Sequence, residues 1–272
     1  MTTAMLSHRS QRNWFVGAVF LLSAPIWLVG AFVDSPEDLP MDLPVSAAQF
    51  VVPMICAFLI AHFTGEADAV RRLAREMIRL PRRGRRRWLF AGLVGVPALL
   101  VPAAAANWLV DGAAGPAGSA AVAVPVLVVV FLVAASMEEI GWMGFLYPRF
   151  GSARGPVFRG LMIGAIWAAW HIVPLVQAGR DWSWIAAWTV STVAARVLIV
   201  WIFVAGGRLV ILASCAHAGL NVGESVYPEV EATASMIAIA AALSVAALVA
   251  MLLPPARRPI VRFYQRSAGN SE

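Results

Sequence analysis

The sequence contains no lysine, and charged residues of any kind are scarce. They make up 13% of the 272 residues, whereas hydrophobic residues make up 60% and the mean hydropathy is +0.76. Soluble domains carry about 25% charged residues. This composition therefore excludes an ordinary soluble globular domain and points to a membrane protein.

Cysteine is almost absent as well. The two cysteines, Cys56 and Cys215, both lie inside long apolar stretches. This distribution excludes a disulfide framework and favours small packed thiols. The sequence also shows no fixed-period repeat, no low-complexity tract and no phosphate-binding glycine loop.

Long apolar runs, by contrast, fill most of the chain. A helix that crosses a bilayer needs about 20 mostly apolar residues. About eight segments meet this criterion, namely 14–33, 45–63, 88–110, 119–147, 160–178, 183–205, 208–226 and 233–253. We therefore predict an all-α, polytopic membrane protein of about eight transmembrane helices. The first run lacks a convincing cleavage site, so we expect a retained helix rather than a signal peptide.

The basic residues predict the orientation of these helices. All 21 are arginines, and nine of them lie in the loop 64–87. If the N-terminus is cytoplasmic, the arginines collect in inner loops and in the tail 254–272, and only Arg180 lies outside. The outer loops then hold the acidic residues Asp34, Glu37, Asp38, Asp42, Asp111, Asp181, Glu229 and Glu231. The positive-inside rule thus predicts that both termini are cytoplasmic. Because this pattern accounts for the net charge of +6, no nucleic-acid partner is expected.

The arginine-rich loop has a second possible role. Its stretch AVRRLAREMIRL places Val70, Leu73, Met77 and Leu80 at helical spacing, with arginines on the opposite face. Such a helix can lie on the inner leaflet, where residues 70–87 would contact anionic lipids. The loop can equally serve as an orientation signal alone, and the sequence leaves both interpretations open.

Five ionisable residues interrupt the apolar segments: Glu138, Glu139, His171, Arg196 and His217. An ionisable group at membrane depth costs several kcal/mol and usually marks a function. Two histidines and two glutamates on three different predicted spans have little reason to enter lipid separately. We therefore expect them to share one polar cavity.

Helical geometry indicates which side chains can face that cavity. His217 and Asn221 are four residues apart, as are Trp167 and His171, so each pair shares one helix face. Consecutive residues point about 100° apart on a helix. Only one of the two adjacent glutamates can therefore point directly at the centre of the cavity.

A carboxylate, two imidazoles and an amide suit hydrolysis. The carboxylate can activate water, an imidazole can orient that water or carry its proton, and the remaining groups can donate hydrogen bonds to an oxyanion. Glu138, His171 and His217 are equally a known type of catalytic zinc-ligand set. The residue types alone do not decide between these two mechanisms.

Three motifs in order resemble those of the CPBP family of intramembrane proteases (CAAX-processing and bacteriocin-processing enzymes, also called the Abi family), which includes the Ras-converting CAAX endopeptidases. They stand here as EEIGWMGFL from Glu138, as Trp167 with His171, and as HAGLN from His217 to Asn221. The resemblance covers about residues 119–225. Each motif alone is weak, but their order within membrane spans is specific.

This resemblance implies an intramembrane endopeptidase that acts on membrane-associated, CAAX-type or lipidated peptides, and of the two forms described for the family we expect the one without a cofactor. Glu138 and His171 would activate water, and His217 with Asn221 would form the oxyanion site. Family members are described both as zinc enzymes and as metal-independent glutamic proteases. The amide of Asn221 favours the glutamic type, with zinc on Glu138, His171 and His217 as the alternative. We expect a multi-pass protein of a bacterial cell membrane.

One position departs from the family pattern. Where the family has arginine, four residues after Glu139, this chain has Met143. Glu139, the supporting acid, then needs another cation, and Arg196 is the candidate that the sequence offers. Alternatively, Arg196 extends toward the membrane surface. The departure also permits an inactive family member that acts as a scaffold or bacteriocin-immunity factor.

The expected organisation has three parts. Residues 1–118 form a three-helix membrane region with the arginine-rich loop, 119–253 form the protease core, and 254–272 form a basic cytoplasmic tail. A transporter that uses the glutamates and histidines as a proton relay is the remaining alternative. The sequence shows neither the inverted repeats nor the broken helices that would support it.

Overall fold

A computed structural model describes residues 7–33, 44–64, 68–105, 118–151, 153–227, 230 and 232–253. Within these ranges every regular element is a helix, so the predicted all-α class is confirmed. The tail 254–272 lies outside the described residues. The acidic residues predicted for the outer loops, apart from Asp181, also lie outside them.

The longer helices follow the apolar segments closely. In chain order they are α1 (His8–Gly30), α2 (Val52–Phe63), α3 (Ala69–Ile78), α4 (Arg87–Phe90), α5 (Val96–Ala98), α6 (101–105), α7 (Gly118–Glu139), α8 (Pro156–Gln177), α9 (Trp182–Ala205), α10 (Val210–Val226) and α11 (Thr233–Leu252). A 3₁₀ segment, Val45–Val51, leads directly into α2. The stretch Arg83–Ala105 is one span that combines α4, α5 and α6 with a π-helical turn at Ala91–Gly95.

Seven spans in the described part of the chain are long and apolar enough to cross a membrane. They are His8–Gly30, Val45–Phe63, Arg83–Ala105, Ala123–Phe150, Pro156–Gln177, Trp182–Ala205 and Thr233–Leu252. The remaining predicted segment, 208–226, forms α10, which has 17 residues. At about 1.5 Å per residue this helix is about 26 Å long, at the short end of transmembrane helices.

Helix α10 lies at the centre of the bundle. It packs against α7, α9 and the Arg83–Ala105 span, and most of its residues are buried. Its backbone comes very close to that span, because a Cβ atom built on Gly219 would lie 2.4 Å from the carbonyl oxygen of Gly92. Small residues permit this approach where two membrane helices cross, and the approach fixes the position of His217, two residues before Gly219.

Helix α7 changes its backbone geometry directly after the glutamate pair. It ends at Glu139, and a π-helix, Ile140–Leu146, continues the chain into the 3₁₀ turn Tyr147–Phe150. A Cβ atom on Gly141 would lie 2.6 Å from Cβ of Pro53 and 2.7 Å from its carbonyl oxygen. The π segment is therefore pressed against α2, and such segments are frequent at functional sites.

The helix predicted in the arginine-rich loop is shorter than the pattern suggested. Helix α3 ends at Ile78, so Leu80 lies beyond it. Pro81 explains the difference, because proline disfavours helical geometry in the residue before it. Leu73 is buried, whereas Val70 and Met77 are exposed. An apolar edge thus stays available to lipid, and the lipid contact of 70–87 remains a prediction.

The start of α1 and the end of the Ala123–Phe150 span lie on the same side of the bundle. Nε of Arg149 donates a hydrogen bond to Oε1 of Gln11 over 2.7 Å. Four successive crossings between these two points produce that arrangement. Which side faces the cytoplasm is still a prediction from the arginine distribution.

Candidate active site

Glu138 is held by two tryptophans. Its Oε2 accepts a hydrogen bond from the indole nitrogen of Trp167 over 2.8 Å and one from that of Trp142 over 3.3 Å. The side chain is buried, with 6% exposed. Oε1 has no hydrogen-bond partner among the described residues, and it is not fully enclosed. One carboxylate oxygen is thus fixed by the protein, while the other is available to a water molecule.

Glu139 points the other way and binds Arg196. Nη1 of Arg196 lies 2.7 Å from Oε1 and 2.8 Å from Oε2 of the carboxylate, and both side chains are 0% exposed. The guanidinium carbon also lies 3.9 Å from the ring centroid of Trp167. Arg196 therefore lies inside the bundle against Glu139, and its guanidinium does not extend toward the membrane surface.

The same carboxylate orients His217. Nδ1 of His217 lies 3.0 Å from Oε1 of Glu139. Because an ionised carboxylate can only accept hydrogen bonds, Nδ1 carries the proton in this contact. Nε2 is then the nitrogen that can meet a reactant. This carboxylate–imidazole arrangement fixes the tautomer and ring orientation, as a carboxylate does for many catalytic histidines.

His171 is oriented by its own helix. Its Nδ1 lies 2.8 Å from the carbonyl oxygen of Trp167, one turn earlier in α8. The carbonyl can only accept, so Nδ1 donates and Nε2 of the neutral ring is left as an acceptor. The rings of Trp167, Trp170 and Trp188 surround the imidazole, with centroid distances of 4.8–5.4 Å. His171 therefore presents Nε2 as a hydrogen-bond acceptor from within a cage of three tryptophan rings.

Trp167 contacts four of the five ionisable groups of the site, all except Glu139. It donates to Glu138, it stacks under Arg196, and its ring centroid lies 4.8 Å from that of His217 and 5.4 Å from that of His171. Burial at 3% exposure holds the indole in place. The aromatic residue of the second motif is therefore the common neighbour of the other site residues.

Asn221 lies one turn beyond His217 on α10 and is partly exposed. Its side-chain amide forms no hydrogen bond with the described residues, and only its backbone carbonyl accepts one, from Ser225. The amide is thus available as a donor. No direct bond joins Asn221 to Glu138 or to His171, so a bound reactant would have to connect them.

Sequence reasoning missed three tryptophans of this site: Trp142, Trp170 and Trp188. A signal existed for Trp142, which follows Glu138 by four residues and donates to its carboxylate. No local signal existed for the other two, because they matter only where α1, α8 and α9 meet. Trp170 donates to the hydroxyl of Ser23 in α1 over 2.8 Å, which fixes the wall behind His171.

The alternative set of zinc ligands, Glu138, His171 and His217, does not form a metal-binding group in this arrangement. Among the described residues, no three side chains of histidine, cysteine, aspartate or glutamate form a group that could hold a metal ion. Glu138 and His217 instead use polar atoms on Trp167, Trp142 and Glu139.

The fold and these contacts define a multi-pass integral membrane protein with a buried cluster of acids, histidines and one arginine. Residues 120–223 match the family model "Type II CAAX prenyl endopeptidase Rce1-like". This region is therefore similar to that family, which confirms the resemblance to CAAX-processing proteases that the three motifs indicated. The class of enzyme that the family implies is a protease. A comparison with curated proteins gave no match.

Proposed function

We propose that the protein is an intramembrane endopeptidase that hydrolyses a peptide bond in membrane-associated, CAAX-type or lipidated peptides through a water molecule activated by Glu138. The observation that carries this proposal is the environment of Glu138. Trp167 and Trp142 fix one carboxylate oxygen, and the other has no partner among the described residues. A general base needs such a fixed but unoccupied acceptor.

In the proposed reaction, Oε1 of Glu138 takes a proton from water, and Nε2 of His171 accepts the second hydrogen of that water. The oxygen attacks the carbonyl carbon of the peptide, and the carbonyl π electrons move onto its oxygen. When the C–N bond breaks, protonated Glu138 returns its proton to the leaving amine. One water is consumed, and a carboxylic acid and an amine are formed.

His217 and Asn221 would stabilise the oxyanion of the tetrahedral intermediate. Because Nδ1 of His217 donates to Glu139, Nε2 can donate only when the ring carries both protons. The amide of Asn221, which lies one turn away on the same helix, supplies a second donor.

Arg196 is a positioning residue in this proposal, since it touches Glu139 rather than the reacting atoms. It supplies the cation that the family carries at position 143. The inactive-scaffold alternative depended on the missing arginine, and the contact between Arg196 and Glu139 weakens that reason. The choice between glutamate and zinc rests on other observations. The indole contacts of Glu138 and the amide of Asn221 support the glutamic type of mechanism over zinc.

Cleavage of peptides by the full-length protein in lipid vesicles tests the proposal. We would offer fluorogenic peptides with a farnesylated CAAX terminus and the same peptides without the lipid. The variant is Glu138→Gln, and the matched control is Glu76→Gln, which alters a glutamate of α3 remote from the site. We expect the control to cleave normally and Glu138→Gln to lose about 10²–10⁴-fold in rate, the range for a lost general base.

Three outcomes would contradict parts of this proposal. Normal cleavage by Glu138→Gln would exclude the glutamate as the base. Loss of activity with a chelator, restored by zinc, would replace the glutamic mechanism by a metal mechanism. Binding of the peptides without cleavage of any of them would favour the scaffold.

A further inference from the structure

We propose that a cleft between α1 and α8 binds an anionic phospholipid, with two arginines on the phosphate and an acyl chain along an apolar wall. The cleft encloses about 510 Å³, and its lining includes Arg12, Val16, Phe150, Arg154, Phe158 and Met162. It lies apart from the cluster around Glu138, and the proposal does not depend on the proteolytic function.

The charges at the mouth of the cleft lack acidic partners. The guanidinium carbon of Arg12 lies 5.4 Å from the ring centroid of Phe150, and that of Arg154 lies 4.6 Å from that of Phe158. Neither arginine forms an ion pair with the described residues, and Nε of Arg12 donates one hydrogen bond, over 3.3 Å to Oδ1 of Asn13. Both lie over aromatic faces, which leaves most of their N–H groups free to donate to a phosphate.

A third, buried arginine adds to the positive charge and fixes the turn that carries the mouth. Arg159 is 6% exposed, donates from Nη2 to the carbonyl oxygen of Gly151, and lies over the ring of Tyr147 at 4.7 Å. Its Nε is buried without a hydrogen-bond partner. This guanidinium therefore holds the carbonyl of Gly151, and none of the described residues forms an ion pair with it.

The start of α8 strengthens the same field. The helix begins at Pro156 after Gly155, which provides no side-chain cap, and its first turn contains no acidic residue. Unpaired N–H groups and the helix dipole make such an end attractive to anions. Arg12 and Arg154 thus line the cleft close in sequence to an uncapped helix start and to Arg159, without an ion-pair partner for either lining arginine among the described residues.

The wall of the cleft is apolar and runs toward the membrane interior. Phe158, Met162 and Ile166 recur every four residues along α8, and Val16 faces them from α1. Three positions spaced in this way cover about 12 Å. Arg12 lies near the start of the first span and Arg154 just before the fifth, which is the depth of lipid headgroups. A free phosphate ion would use the arginines but not this wall, whereas a phospholipid would use both.

Photocrosslinking in vesicles tests this site. The full-length protein would be placed in equal parts phosphatidylcholine and a phosphatidylglycerol that carries a photoreactive acyl chain. We expect crosslinks to Val16, Met162 or Ile166, and a loss of about tenfold or more in these crosslinks when Arg12→Gln and Arg154→Gln are combined. The control removes two exposed arginines elsewhere, Arg75→Gln with Arg82→Gln, and should retain them.

A second pair of variants separates the lipid from a simple anion. Met162→Trp fills the cleft without changing any charge, and Leu161→Trp alters the neighbouring residue, which does not line it. We expect only Met162→Trp to reduce crosslinking. Unchanged crosslinking in Met162→Trp or in the double arginine variant would overturn the proposal. Complete displacement of the lipid by millimolar inorganic phosphate would also overturn it, because it would indicate an ion site alone.

Discussion

Oε1 of Glu139 receives hydrogen bonds from two helices at once, from Nη1 of Arg196 over 2.7 Å and from Nδ1 of His217 over 3.0 Å. One buried carboxylate thereby connects α7, α9 and α10 at the point where the proposed reaction takes place. An arginine is always charged, so this carboxylate always faces a cation. The contact therefore contributes to the fold and to the orientation of His217 together.

Removal of Arg196 is expected to destabilise the protein strongly. In Arg196→Met the carboxylate of Glu139 stays buried without its cation, and the loss of one partner of a buried ion pair costs about 3–5 kcal/mol. Thermal unfolding in detergent should show a clearly lowered Tm, with cleavage strongly reduced. The matched control is Arg180→Gln, at the exposed start of α9. Equal stability of Arg196→Met and wild type would show that the pair contributes nothing.

Restoring the family arginine in the wild-type background is expected to be harmful. Met143 is buried at 1% exposure inside the π segment, so Met143→Arg places a second cation beside a carboxylate that is already paired. Combined with Arg196→Met, the same substitution supplies the missing charge. We expect the double variant to be more stable than Arg196→Met alone, by a double-mutant cycle of unfolding free energies. If the losses of unfolding free energy in Met143→Arg and Arg196→Met simply added in the double variant, an arginine at position 143 would not be replacing Arg196.

The indole N–H of Trp167 is expected to matter for rate more than for stability. Trp167→Phe keeps an aromatic ring beside His171 and His217 but removes the hydrogen bond of 2.8 Å to Glu138. A hydrogen bond to a charged group contributes about 1.5–3 kcal/mol, which corresponds to a loss of about 10–100-fold in kcat. Trp170→Phe is the control, because its indole donates to Ser23 instead. Similar kcat values for the two variants would argue against a role for Trp167 in positioning the base.

Helical periodicity predicted the local part of this site. Trp167 with His171, and His217 with Asn221, are each one turn apart on α8 and α10, as their four-residue spacing requires. The long apolar runs likewise predicted the helices that carry them. These features depend only on residues near each other in the chain, so a single sequence contains them.

The contacts between residues far apart in the chain were harder to predict from the sequence. Glu139 and Arg196 are 57 positions apart, and the sequence offered the pair only because no other cation was left at membrane depth. The change from α- to π-helix after Glu139 had no local signal beyond two glycines, because it depends on the approach of Pro53 in α2. The aromatic cage around His171 depends in the same way on the meeting of separate helices.

Asp181 is expected to make the start of α9 sensitive to acid. Its Oδ1 accepts from the backbone N–H groups of Ser183 and Trp184 over 2.8 and 2.9 Å and from the hydroxyl of Ser183. These bonds, the Ser183 hydroxyl first, lower the pKa of Asp181 below its ordinary value of 3.8. The stabilisation is therefore complete above that value and is lost as the pH falls through the lowered pKa.

Asp181→Asn tests this dependence, because asparagine still caps a helix but does not titrate. Unfolding temperatures would be measured from about pH 6 to about pH 3, where carboxylates take up protons. We expect the difference in Tm between wild type and Asp181→Asn to shrink as the pH falls. A constant difference across this range would show that the charge of Asp181 does not contribute.

Gly141 is expected to tolerate no side chain at all. A Cβ atom there would lie 2.6–2.7 Å from backbone and side-chain atoms of Pro53, and a contact with backbone cannot be relieved by a rotamer change. Gly141→Ala must push α2 away from the π segment and thereby shift Glu138 and Glu139, which directly precede it. Overpacking of this kind costs about 1–3 kcal/mol.

Gly17→Ala is the control, because a Cβ atom on Gly17 meets nothing within 4 Å and alanine is the better helix former. We expect Gly141→Ala to lower both Tm and cleavage while Gly17→Ala lowers neither. If Gly141→Ala retained full cleavage, the close approach of α2 would not be what holds the glutamate pair in its place.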